Sequence, residues 1–192
     1  MATDPCEIPR PSCLSLPRMN GMNELIELAQ VGDSPEIAAL VNKAYRPESD
    51  VVGWTHESAL VAGDRTSSRQ VENLFRQDSF VLVMKRNGEV VACVHVELAD
   101  NDCWIGMLAT LPADQNSGVG KRMLLAAEAS AIEHFTPKRL MMSVLSSRPE
   151  LLSFYQRRGY QLTGQVSDYP REVGVGTPLS KELKVLALQK LL

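Results

Sequence analysis

Between Phe80 and Leu111 the apolar positions gather into three blocks separated by turn residues. Phe80–Met84 is the first. Asn87-Gly88, the dipeptide that favours the tightest hairpin turn, parts it from Val90–Leu98, and Asp100-Asn101-Asp102 leads into Cys103–Leu111. The pattern predicts three strands in an antiparallel meander. Upstream, Asn23–Val31 predicts another strand through Leu25, Ile26, Leu28 and Val31, against the interruption of Glu24 and Glu27. Asp33-Ser34-Pro35-Glu36 marks a helix start, with Asp33 or Ser34 at the cap and Pro35 in the first turn. Ile37, Leu40, Val41 and Ala44 line one face of that helix, and Pro47 stops it. Residues 48–66 are irregular. Val71, Leu74 and Phe75 then recur at helical spacing over Ser68–Gln77.

Downstream of the meander the period is helical again. Val119, Met123, Ala126, Ala127 and Ser130 share a face of a helix that reaches about His134, where Thr136-Pro137 breaks it. Leu140–Leu145 predicts a strand, Arg148-Pro149-Glu150 opens a short helix through Arg157, and Gly159 suits its left-handed stop. Tyr160–Gln165 is a further strand, 167–179 a Pro/Gly-rich loop, and Lys184–Leu192 a final strand. Met1–Gly21, with prolines at 5, 9, 11 and 17 and no period, is expected to be a tail; residues 22–192 are expected to form one mixed α/β domain.

Composition narrows the classes. Hydrophobic residues at 44% and charged residues at 22% describe a folded chain rather than a disordered one. A net charge of −3 argues against a general nucleic-acid binder, which carries a basic face. Cys6, Cys13, Cys93 and Cys103 form no Cys-x-x-Cys pair, and His56, His95 and His134 are scattered, so neither a metal site nor a disulfide framework is indicated. Cys93 and Cys103 fall in predicted strands as buried thiols. No apolar run approaches the roughly 18 residues of a membrane span, and no signal-peptide core is visible. The expected setting is cytoplasmic, with no membrane partner.

The candidate chemistry lies in Leu108–Gly120. A strand ends at Pro112, a loop carries Gly118 and Gly120, and a helix follows through Lys121-Arg122-Met123. Strand, glycine loop and helix N-terminus make an anion site suited to a pyrophosphate, because the first N–H groups of the helix are unpaired and its dipole is positive there. The phosphate loop of nucleotide hydrolases is excluded: Gln115 stands at its first glycine and Arg122 at its magnesium-binding Ser/Thr. The dinucleotide fingerprint is excluded by Met123 at its third glycine. What fits is Gln/Arg-x-x-Gly-x-Gly/Ala, here Gln115-Asn116-Ser117-Gly118-Val119-Gly120, which resembles the coenzyme A signature of the GNAT superfamily of N-acetyltransferases. The alternative reading of the hexapeptide alone is an ordinary glycine loop before a surface helix. A second stretch, Arg148 to Tyr160, resembles the superfamily's Asn-x-x-Ala-x-x-x-Tyr-x-x-x-Gly-Phe/Tyr landmark. Tyr155, Gly159 and Tyr160 match it, while Arg148 and Leu151 replace its Asn and Ala. The resemblance covers roughly Asn23–Leu192. Gly-Trp-Thr-His-Glu, Gly-Asp-Arg-Thr and Arg-Pro-Glu-Leu are further similar to segments of uncharacterised superfamily members.

The resemblance implies a GNAT-type acyl-CoA N-acyltransferase domain with a mixed, strongly bent central sheet flanked by helices. It implies acetyl-CoA as cosubstrate, held between splayed strands Ile105–Leu111 and Leu140–Leu145. The implied contacts are Leu108, Ala109 and Thr110 to the pantetheine arm and 115–121, that is Gln115, Asn116, Ser117, Gly118, Val119, Gly120 and Lys121, to the pyrophosphate. Arg148, Tyr155 and Arg158 complete that set. Tyr155 is the implied acid for the departing thiolate, or else a cofactor-packing tyrosine. Glu97 is the first candidate base and Glu57 the second, with His95 on the face of Glu97. Trp54, Glu57 and Arg65 are candidates for the acceptor site, Trp54 as a flat wall and Arg65 as a carboxylate partner. The expected acceptor is a small-molecule or peptide amine. A non-catalytic acyl-CoA sensor, and an enzyme taking a longer acyl chain past Gly106 and Ala109, remain as alternatives. The apolar Val185–Leu192 segment would permit a homodimer through the C-terminal strands.

Overall fold

A computed structural model describes residues 24–47 and 56–192. The predicted tail, Met22, Cys6, Cys13 and Trp54 lie outside the described residues. Seven strands form one mixed sheet: β1 (Glu24–Leu28), β3 (Ser79–Arg86), β4 (Glu89–Ala99), β5 (Asp102–Thr110), β6 (Arg139–Leu145), β7 (Gln161–Asp168) and β9 (Lys184–Leu191). Their order is β1-β3-β4-β5-β6-β9-β7, and only β5 and β6 run parallel. Two short strands, β2 (Val61–Ala62) and β8 (Thr177–Pro178), pair separately. The helices are α1 (Ser34–Tyr45), α2 (Ser68–Glu72), α3 (Val119–Phe135) and α4 (Pro149–Gln156).

The central strands β3, β4 and β6 are buried on both faces, so they read as apolar runs, while the edge strand β7 is largely exposed. Val91, Val94, Val96, Cys103, Ile105, Leu140 and Met142 pack against Met123, Leu124 and Ala127 of α3 and Tyr155 of α4. Val81, Val83, Val90, Cys93 and Ala109 pack against Ile37, Val41 and Ala44 of α1. Met123 and Leu124 are fully buried, each contributing about 1.5–3 kcal/mol. That anchorage fixes the start of α3 relative to the end of β5. No described helix is long and apolar enough to cross a membrane.

Several boundaries differ from those the pattern predicts. The first strand stops at Leu28, and Val31–Asp33 is a 3₁₀ turn. Asp33 stands at the N-cap of α1, but its carboxylate accepts from the Gln30 N–H (2.7 Å) and from Lys85 (3.1 Å) instead of capping the helix. α2 ends at Glu72 because the main chain from Asn73 closes into tight turns, Leu74 N–H to Val71 O and Phe75 N–H to Glu72 O. β7 extends into the expected 167–179 loop, and β2 and β8 join that loop to the expected irregular stretch before Thr66. β9 lies inside the sheet between β6 and β7, so its two edges are taken; Leu188 is buried in the core while Leu191 stays exposed. The free edges of the described sheet are β1 and β7.

The opening that makes the site comes from a bulge. Cys93 pairs with Ala109 and His95 with Gly106, so β5 carries an extra residue between them. Met107 takes the left-handed φ of +49° there, a conformation disfavoured for a residue with a Cβ. β5 and β6 pair only at Asp102–Arg139, Cys103–Leu140 and Trp104–Met141. Beyond Trp104 the bulge turns β5 away, while β9 holds β6 through seven register pairs, Arg139–Leu191 to Leu145–Val185.

Candidate active site

A groove of about 360 Å³ opens between α4 and the part of β5 that has left β6. Leu108 and Thr110 of β5 form one wall and Leu151, Phe154 and Tyr155 of α4 the other. Gln115, Asn116, Gly118, Gly120 and Lys121 close one end with Arg157 and Arg158, and Tyr45 from the end of α1 also lines it.

The glycine loop has the geometry of an anion cradle. Gly118 is the N-cap of α3 at φ +87°, and Asn116 also has a positive φ of 65°. Among the described residues no side chain caps α3 and no acidic residue lies in its first turn, so its orphan N–H groups and dipole are not offset by a capping carboxylate. A Cβ at Gly120 would sit 3.8 Å from Thr110 Oγ1, an ordinary contact, as the Gly/Ala alternative of the signature requires. The loop is pinned from behind. Arg86 bonds Asp114 (2.7 Å) and Glu24 (2.7 Å), Arg122 bonds Glu24 (2.6 Å), and Ser117 Oγ donates to Asp114 O (2.5 Å). Both arginines hold the Glu24 carboxyl below the usual range. The Gln115 N–H is spent on Pro112 O (3.3 Å), so the cradle begins at Asn116.

The structure distributes the remaining sequence candidates around this groove. Ser117 faces the turn, Val119 is buried in the core, and Ala109 packs against α1. Arg148 is buried beneath the groove, donating to His56 O (3.1 Å) and lying 3.8 Å from Glu57. Glu57 is itself buried, 3.1 Å from Arg46. Arg158 lies over the Phe154 ring, donates to Phe154 O (2.6 Å) and keeps a buried Nε without a partner; burial and the adjacent Arg157 lower its pKa. Glu97 is half-exposed and paired with Arg76 (2.5 Å), away from the groove lining. His95 lies between Glu97 and the bulge along β4. Its Nε2 is 2.7 Å from Ser79 Oγ, whose hydroxyl donates to Leu74 O, so Nε2 must be the donor. Burial lowers His95 to about 4.

Tyr45 is the functional residue that the sequence reading missed. Its hydroxyl donates to Leu108 O at 3.0 Å, and burial raises its pKa to about 12. Tyr155, 8% exposed, is raised further by burial, so both phenols stay protonated at neutral pH. Three carbonyls of the bulged strand are capped by side chains: Met107 O by Cys93 Sγ (3.6 Å), Leu108 O by Tyr45 and Thr110 O by Gln115 Nε2 (3.3 Å). Cys93 and Cys103 are buried, and burial raises Cys93 to about 12 and Cys103 to about 11, so neither thiol is a nucleophile.

The acetyltransferase (GNAT) family profile matches residues 38–160. An uncharacterized protein of Bacillus subtilis (strain 168), YdhI, is 27% identical over 110 residues, covering 57% of this chain and 64% of its own length. The chain thus matches less than two thirds of that curated relative. Among solved structures, the ribosomal-protein-S18-alanine N-acetyltransferase of Escherichia coli superposes with TM-score 0.66 at 14% identity, covering 88% of this chain and 93% of that one. A GNAT family acetyltransferase of Elizabethkingia anophelis with acetyl-CoA bound gives TM-score 0.61 at 19% identity, covering 88% and 99%. At these identities the superpositions speak to the fold.

Proposed function

This chain belongs to the acetyltransferase (GNAT) family, and from that premise we propose that residues 22–192 form a domain transferring the acetyl group of acetyl-CoA directly to a primary amine. The observation that carries the reading is the coincidence of two features at one groove. β5 and β6 part beyond Trp104, and the same groove ends on the uncapped, acid-free N-terminus of α3.

The residues fit the nucleotide end of such a substrate. The N–H groups of 116–121 with Lys121 would hold a pyrophosphate, and Leu108–Thr110 would pair with the amides of the pantetheine arm. Acetyl-CoA supplies the electrophilic thioester carbonyl. A backbone N–H near Leu108 stabilises the negative charge that develops on the carbonyl oxygen, an effect of several kcal/mol when preorganised. The acceptor nitrogen forms a C–N bond as the C–S bond breaks. The nitrogen loses a proton and the sulfur must gain one or be stabilised. Tyr155 donates a hydrogen bond to the departing thiolate, and its raised pKa keeps the donor proton in place until then. Glu97, paired with Arg76 and off the groove lining, takes the acceptor's proton through intervening water, with neutral His95 between it and the bulge.

Calorimetric titration of the purified full chain with acetyl-CoA, coenzyme A, ATP and NAD tests the reading. Micromolar binding of the first two alone is expected, followed by thiol release with an amine panel. Binding of neither form of coenzyme A would remove the proposal. Binding without turnover of any amine would make the protein an acyl-CoA sensor instead.

A further inference from the structure

We propose that the acceptor is a small amino acid-like molecule, a primary amine that also carries a carboxylate, and that Arg65 recognises that carboxylate. The proposal rests on the acetyl-transfer reading and adds the substrate class.

Tyr45 places Arg65. The Tyr45 hydroxyl reaches Leu108 O at the groove, and its ring carries the Arg65 guanidinium, with Cζ 5.5 Å from the ring centroid. Arg65 thus stands one tyrosine side chain from the strand expected to bind the thioester. It does not line the groove itself, so it belongs to the approach on the α1 face.

The position is preorganised. Asn42 of α1 makes three hydrogen bonds to the main chain at this point. Its Oδ1 accepts from the N–H groups of Arg65 (2.8 Å) and Thr66 (3.0 Å), and its Nδ2 donates to Thr66 O (2.9 Å).

The charge is uncompensated. Arg46 and Arg148 share Glu57, and Arg148 also bonds Glu150. Arg65 has no carboxylate within ion-pair distance among the described residues, and its neighbour Asp64 does not pair with it. Nearby Arg46 adds a buried guanidinium, its Nη1 on Glu57 and on Tyr45 O. Among the described residues, three guanidiniums and two carboxylates thus gather around Tyr45. This wall repels polyamines and other cations without a carboxylate, and a planar guanidinium suits a carboxylate in bidentate geometry.

The test is thiol release from acetyl-CoA with the full chain, each standard amino acid being compared with its own carboxamide and with spermidine. The carboxamide's amine is the more readily deprotonated of each pair, so preference for the amino acid reports charge recognition. For the best amino acid, kcat/KM is expected to exceed that of its amide by about tenfold to a hundredfold, the loss typical of a charge-assisted hydrogen bond. Arg65→Ala should reduce the ratio to about unity through KM with coenzyme A affinity unchanged, and Arg65→Lys should restore part of it. Equal or better turnover of the amides or spermidine, or a ratio that survives Arg65→Ala, overturns the proposal. The wild-type comparison stands even if a variant fails to fold. Absence of coenzyme A binding would instead remove the reading beneath it.

Discussion

Glu57 is a strut between the two tyrosines of the site, and removing its charge offers the sharpest test of how the groove is held. Its carboxylate lies 3.1 Å from Arg46, which follows Tyr45 at the end of α1, and 3.8 Å from Arg148, which precedes α4 and Tyr155. All three side chains are more than nine-tenths buried. Glu57→Gln keeps the shape and leaves two buried cations facing a neutral amide. Breaking a buried ion pair from one side costs about 3–5 kcal/mol, because the remaining charge is stranded out of water. Glu150 still pairs with Arg148 and is itself half-exposed, which sets the expectation at the lower end, about 3 kcal/mol. For a chain of 192 residues this corresponds to a fall in Tm of roughly 6–12 °C. Thermal and urea unfolding followed by circular dichroism measure it. Asp168→Asn, which breaks the exposed pair with Lys184, serves as the control and should leave Tm unchanged. A Glu57→Gln protein melting within about 2 °C of wild type would refute the stranded-charge reasoning. A variant that melts low yet retains full kcat would refute the claim that this cluster sets the spacing of Tyr45 and Tyr155.

Two further outcomes are expected. Tyr155→Phe should lower kcat by about tenfold or more with coenzyme A affinity little changed, read by thiol release and calorimetry; unchanged turnover would reduce Tyr155 to packing. His95 makes stability sensitive to acid. Burial holds it near 4 in the folded chain against about 6.5 unfolded, so between those values only the unfolded chain takes up the proton. Stability should therefore fall as pH drops through that window, by about 2 kcal/mol between pH 7 and pH 5, and urea unfolding of His95→Gln should show a shallower decline than wild type.

The parts legible in the sequence are those written in long periods or in fixed spacings. The meander β3–β5 and the buried face of α3 follow from apolar blocks and helical recurrence, and the cradle at Gly118 follows from its loop chemistry. α2 was overextended because Leu74 and Phe75 keep helical spacing while packing against the core from turns. The bulge left no signal. Gly106 invites the unusual conformation, yet Met107 beside it carries the positive φ, imposed by the pairing of β4 on both sides. Tyr45 was invisible for a different reason: its partner Leu108 is 63 residues away, and nothing local marks a tyrosine at a helix end for a distant carbonyl. Glu57 read as a free carboxylate because the two arginines that engage it come from α1 and α4.

An opened strand in a buried sheet carries a cost, since an unmet backbone group out of water loses about 1–3 kcal/mol. Here the cost is met unevenly. Tyr45, Cys93 and Gln115 all donate to carbonyl oxygens of 107–110, and the Ala109 N–H in turn donates to the Cys93 sulfur. At the far end of the groove the first turn of α3 presents N–H groups with no side-chain cap. The α3 end therefore presents donors in want of acceptors, and Tyr155 adds a protonated phenol along the groove. A groove of that character favours an anionic, oxygen-rich group at the α3 end, where Lys121, Arg157 and Arg158 also line it, over a cationic one. Straightening β5 at Met107 would extend its pairing with β6 past Trp104 and close the groove that opens there.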